Sequence, residues 1–218
     1  MNPTSVLYVG YKSYESSNLL DEVSVGSTVE DYTSKFLILG VNYIKWQSNN
    51  LFPIKTLVAL DSEIGNRDLN KVREDQLRFS LLMNHIFNLN HRNSIFLQSN
   101  SSVLISDSYL TNELFTFGGI NSIRGFNENS IYASLFSVLN TEYRFQFNDG
   151  IYIHSIIDLG YFQNQILLVK EKLYSFGIGL GLQTRAGIFR FNIANGNSEN
   201  QDFNFSNTKI HISLSSRF

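Results

Sequence analysis

Gln76-Leu77-Arg78-Phe79-Ser80-Leu81-Leu82-Met83-Asn84 places apolar side chains at Leu77, Phe79, Leu81 and Met83 and polar ones at Arg78, Ser80 and Asn84. A period of two gives a β-strand one greasy face and one wetted face, whereas a helix repeats near 3.6. The pattern recurs along the chain. Val23, Val25, Ser27 and Val29 oppose Ser24, Gly26, Thr28 and Glu30, and Thr56, Val58 and Leu60 oppose Lys55, Ala59, Asp61 and Glu63. Tyr143, Phe145 and Phe147 oppose Glu142, Arg144 and Gln146. Phe176, Ile178, Leu180 and Leu182 face away from Gly177, Gly179, Gly181 and Gln183, and Ile210, Ile212 and Leu214 from His211, Ser213 and Ser215. Turn residues fall between these segments: Ser48-Asn49-Asn50, Gly65-Asn66-Arg67-Asp68, Asn88 to Asn93, Asn148-Asp149-Gly150 and Asn195-Gly196-Asn197-Ser198. The chain reads as all-β and antiparallel.

The chemistry of the two faces bears on the environment. One face carries Lys, Glu, Arg, Asp, Gln and repeated Gly, and the other carries large Phe, Tyr, Leu and Ile. A small soluble barrel packs greasy side chains inside; this distribution suits a transmembrane β-barrel, with lipid outside and a wet lumen. A soluble β-sandwich also alternates. Against it stand strand candidates of roughly 9 to 14 residues, where about 5 to 6 is usual. Aromatics at strand ends (Tyr8, Tyr11, Tyr14, Tyr43, Trp46, Tyr161, Phe162) would serve as interfacial girdles, and the chain ends on the aromatic Phe218. With 43% hydrophobic and 17% charged residues in 218, the chain is too apolar for disorder. A net charge of −2 offers no basic footprint, so no nucleic-acid partner is expected. The lack of cysteine excludes thiolate zinc sites, disulfides and cysteine nucleophiles. No apolar run approaches the roughly 18 residues of a spanning helix. The opening MNPTSVLYVGYKSY lacks the basic and apolar regions of a signal peptide.

One segment breaks the alternation: Phe117-Gly118-Gly119-Ile120-Asn121-Ser122-Ile123-Arg124-Gly125-Phe126. Its glycines open backbone conformations closed to other residues, and an Arg fork held between apolar neighbours is suited to finding a carboxylate. This segment resembles the Gly-Gly-x-x-Ser-[Val/Ile]-Arg-Gly-[Phe/Tyr] element of the Omp85 superfamily, which includes the BamA and TamA assembly factors and the two-partner secretion transporters. The following strands resemble that family in order: Glu142-Tyr143-Arg144, Asp158-Leu159-Gly160, Gly177-x-Gly-x-Gly181 and Gly187-Ile188-Phe189-Arg190. The likeness covers about residues 115 to 218 by motif and the remainder by pattern only.

The resemblance implies one Omp85-type barrel domain over residues 1–218, with residues 115–131 as a loop folded into the lumen. The loop motif is Gly118, Gly119, Ser122, Arg124, Gly125 and Phe126. It also implies that Arg124 pairs with Asp158 of the Asp-x-Gly160 strand, with Glu142 as a second candidate. Parity puts Asp158 and Gly160 on one face, opposite Ile157, Leu159 and Tyr161. Ile210, Ile212, Leu214 and Phe218 form the C-terminal strand signal and one side of a seam, although Ser216 stands where an apolar residue is usual. Six strands before the loop and five after it make eleven, with ten or twelve as alternatives. They would form the C-terminal part of a sixteen-stranded barrel lacking its POTRA repeats and signal peptide. Function, by this likeness, is insertion or translocation of β-rich proteins at a bacterial outer membrane, or else secretion or a passive pore. The partners implied are membrane lipid and lipopolysaccharide, unfolded outer-membrane or secreted substrates, and assembly-machinery proteins. No cofactor is expected. Enzymatic activity is not expected either: His154 and Ser155 point to opposite faces, and His85, His91 and His211 have no triad or ligand spacing, so each His is read as a lumen or loop residue. Asp107, Glu113 and Asp149 are loop carboxylates of the kind that touch divalent ions at lipopolysaccharide.

Overall fold

The computed structural model describes residues 2–16, 31–200 and 204–215. The strands are β1 (Thr4–Ser16), β2 (Tyr32–Trp46), β3 (Ile54–Leu69), β4 (Val72–Asn88), β5 (Asn93–Ser106), β6 (Phe115–Phe117), β7 (Ile131–Ala133), β8 (Leu135–Asn148), β9 (Ile151–Asn164), β10 (Val169–Thr184), β11 (Gly187–Ser198) and β12 (Thr208–Ser215). Ten of them form one antiparallel meander in the order β1-β2-β3-β4-β5-β8-β9-β10-β11-β12, and β6 and β7 make a separate ribbon. Among the described residues no pairing joins β12 back to β1, so the sheet is an open, partial barrel.

The expected total of eleven strands becomes ten in this sheet, five on each side of the loop. The stretch read as a strand over Val23 to Val29 lies outside the described residues, as do Ser216 and Phe218. Two expected turns prove to be strand. β3 runs through Gly65-Asn66-Arg67-Asp68 and turns at Asn70-Lys71, whose φ values of 50° and 68° are those of a two-residue hairpin with both central residues left-handed. β11 runs through Asn195 to Ser198. Within these stretches Arg67, Gly196 and Ser198 are buried against other protein inside the sheet's concavity, which the local composition alone does not reveal.

Alternation becomes two physical surfaces. On β9, Tyr152, His154, Ile156, Asp158, Gly160, Phe162 and Asn164 are buried inward, while Ile151, Ile153, Ile157 and Leu159 are exposed outward. On β12, Ile210, Ile212 and Leu214 face out and His211 faces in. The glycine row Gly177, Gly179 and Gly181 lies inward, paired with Ile156, His154 and Tyr152, and the outer Ile178 is 68% exposed. An outer coat of this kind is costly in water and favourable in a bilayer.

The girdle reading needs correction at three positions. Tyr8 and Tyr14 face inward, where their hydroxyls donate to Asp61 and Glu63, and Phe162 is buried inside. His85 also departs from its expected lumen or loop place. It sits on the outer face against Thr56 and the ring of Phe87. Nor is the interior uniformly polar. Phe117, Ile123, Ala133, Phe136, Val138, Phe162 and Leu173 form a closed apolar cluster where the loop meets the wall.

These assignments predict that Ile157→Arg, placed on the outer face, lowers the stability of the chain folded into lipid vesicles by about 2–4 kcal/mol. The inward Asn42→Arg should shift the urea midpoint far less.

Candidate functional site

The long connection between β5 and β8 turns into the concavity, entering and leaving through the β6–β7 ribbon. Gly118, Gly119 and Gly125 have φ of 114°, 93° and 84°, where an L side chain is strained. At Gly125 space is limiting as well, because a Cβ would overlap the backbone of Asn195 and Gly196 on β11. Phe126 packs beside the apolar cluster that takes in Ile123.

These constraints aim Arg124 at two carboxylates on neighbouring strands. Its backbone N–H and Nε both donate to Asp158 Oδ2, at 3.0 and 2.9 Å, and Nη2 donates to Oδ1 at 2.5 Å. Nη1 donates to Glu142 at the same time, so the two carboxylates that the sequence offers as first and second candidates act together. All three are buried, Asp158 completely. Burial opposes the guanidinium charge, but the hydrogen bonds to Asp158 and the negative charges of Glu142 and Asp158 outweigh it and raise the Arg124 pKa above its ordinary value.

The rest of the motif has identifiable work. The Ser122 carbonyl accepts from Asn140 Nδ2 at 2.7 Å, while the Ser122 hydroxyl is buried without a protein partner. Gly160 makes room for Ile123, whose Cδ1 lies 3.0 Å from where a Cβ would stand, which accounts for a glycine two residues after Asp158. Gly125 N–H donates to His211 Nε2 at 3.0 Å, tying the loop to β12. That bond requires a bare Nε2, so the ring's other nitrogen, Nδ1, carries the proton and faces Glu128 at 3.8 Å. Ser155 replaces a ladder partner, its hydroxyl accepting the Tyr143 N–H at 3.0 Å.

A family model described as the Omp85 superfamily domain matches residues 65–218, well over half of the chain. The chain belongs to the Omp85 superfamily. Membership makes it an outer-membrane β-barrel protein in general terms, in keeping with the outward apolar coat. A search of curated proteins finds no match.

The Omp85 loop has a second attachment that the motif does not announce. Glu113, expected as a loop carboxylate of the kind that touches divalent ions, is instead buried against the fully buried Arg67 of β3 and accepts from Gln76 Nε2 at 3.2 Å. Arg67 also reaches Glu74 and Ser108, each at 2.5 Å, and Arg78 donates to the Glu113 carbonyl at 3.1 Å. Asp107 and Asp149 are exposed, and no cluster of metal-ligating side chains occurs among the described residues.

A different loop enters from the opposite mouth. Residues 47–53 fold inward so that Leu51 and Phe52 are buried with Ile86 and Tyr152. Asn49 Oδ1 accepts from the N–H groups of Leu51 and Phe52, both at 3.0 Å, and its Nδ2 donates to Gln146 at 3.1 Å. The Arg144 guanidinium lies between the rings of Phe52 and Phe96, 4.5 and 4.0 Å from their centroids, while Nε donates to Glu142 at 2.7 Å. Glu142 thus joins the motif loop, through Arg124, to this second loop, through Arg144. His211, Asn140, Arg144 and the Arg67–Glu113 pair were not singled out for these contacts in the sequence. Their inward parity was the available signal.

Arg124→Ala leaves two buried carboxylates without their shared cation and should cost about 3–5 kcal/mol. Adding Asp158→Asn to Arg124→Met, with Glu142 left to its second partner Arg144, should cost less than Arg124→Met alone, as read by urea midpoints and heat-modifiable gel migration. Phe52→Ala should expose residues 47–53 to proteolytic nicking, read by limited proteolysis of the refolded chain.

Proposed function

We propose that this Omp85 barrel assists β-rich polypeptides at a bacterial outer membrane, inserting outer-membrane proteins or passing proteins across. The observation that carries the reading is the Arg124 loop, fixed to β8 and β9 by Asp158 and Glu142 and to β12 by His211. β12 pairs with β11 on one side, and no strand among the described residues pairs with its other edge. Unpaired edge groups are a template for an incoming strand. A loop that holds the inner face of β12 sets the position of that edge. Substrates on this reading are unfolded outer-membrane or secreted proteins, in contact with lipid, lipopolysaccharide and assembly partners.

A passive pore is the second reading, and the polar inner positions favour it. Two inward loops, the motif loop and residues 47–53, occupy the space such a pore would need. The roles separate in a reconstitution of the full chain into vesicles. Assisted insertion predicts faster acquisition of protease-resistant fold by an added unfolded β-barrel substrate, and Gly125→Ala should diminish that acceleration at least several-fold. Steady ion conductance without any acceleration would favour the pore.

A further inference from the structure

The mouth into which residues 47–53 fold retains an open cavity of about 740 Å³ between that loop and the β10–β11 turn. Arg144, Arg185 and Arg190 all line it, together with the amides Gln98 and Gln183, and no Asp or Glu lines it. A lining with three cations and no carboxylate stands out in a chain whose net charge is −2. The buried acids cannot serve this space. Asp158 and Glu142 are matched one for one by Arg124 and Arg144, which leaves Arg185 and Arg190 uncompensated. Among the described residues neither has a carboxylate within ion-pair distance, and Arg190 donates only to Ser215 Oγ, at 3.4 Å.

We propose that this cavity binds a soluble oxyanion, a solute bearing phosphate or carboxylate groups. Guanidinium forks pair with these groups bidentately, and the volume falls in the range of small-molecule sites, about 300–1,000 Å³. Tyr152, whose ring lies over Gly181, forms part of the wall beneath the loop. Arg144, held by Glu142 and two aromatic rings, is a fixed edge of the site, while Arg185 on the turn and Arg190 on β11 supply the free charge. The amides of Gln98 and Gln183 offer neutral donors to oxygens that the guanidiniums do not reach.

The test is titration of the refolded full chain in neutral detergent with inorganic pyrophosphate, followed by calorimetry. At about 0.15 M salt the Debye length is roughly 8 Å, so diffuse attraction is largely screened and a built site is not. Saturable binding is expected. Arg185→Gln with Arg190→Gln should weaken it at least tenfold, and Arg190→Lys should weaken it less. Lys170→Gln, an exposed position away from the cavity, should leave it unchanged, and citrate should compete. Retained heat-modifiable migration in each variant shows that the fold survives. Absence of saturable binding by the unsubstituted chain, or equal binding by the double variant, would overturn the assignment.

Discussion

Arg124, buried and shared between Asp158 and Glu142, is the interaction around which the interior is arranged. An unpaired guanidinium in this position would be untenable, as would either carboxylate alone. Each therefore requires the others, and the requirement fixes a flexible, glycine-containing loop in one place. The surrounding choices follow from that. Glycine at 160 admits Ile123, glycine at 125 admits the backbone of β11, and Asn140 satisfies the carbonyl of Ser122. The apolar cluster beneath the loop shields the ion pairs from water, which strengthens their coupling relative to exposed pairs.

Attachment at both ends makes the loop a brace across the concave face. Arg67, Gln76 and Arg78 hold its incoming arm at Glu113 on β3 and β4; Asp158, Glu142 and His211 hold its tip on β9, β8 and β12. An open sheet of ten strands has no closing ladder to set its curvature among the described residues. Contacts that tie strands distant in sheet order supply part of what closure would supply.

The fold was legible because parity is local: Leu77, Phe79 and Met83 declare one surface without knowledge of their neighbours. Arg124 and Asp158 were legible only through a motif whose glycines and spacing are distinctive. The remainder depends on partners far apart in the chain. Tyr8 looks like an interfacial aromatic until Asp61 is found beside it, and Glu113 looks like an ion-touching loop carboxylate until Arg67 is. Gly65 and Gly196 resemble turn residues because a strand facing another backbone closely needs the same small side chains as a turn. Leu51 and Phe52, in a short connection, carry no periodic signal at all.

Glu142 occupies the one position where these separate features meet. Its Oε1 accepts from Arg124 of the motif loop and its Oε2 from Arg144, which the second loop clasps through Phe52. Displacing either loop therefore changes the charge environment of the other, since the carboxylate would lose one of the cations that make its burial tolerable. Loops that enter from opposite mouths would ordinarily be independent, because their sequences are far apart and their strands differ. Here a single buried acid couples them, so the lumen behaves as one packed unit with a free basic cavity at one end, which is a poor design for an unobstructed pore and a reasonable one for a barrel whose wall must hold its shape while an edge is used.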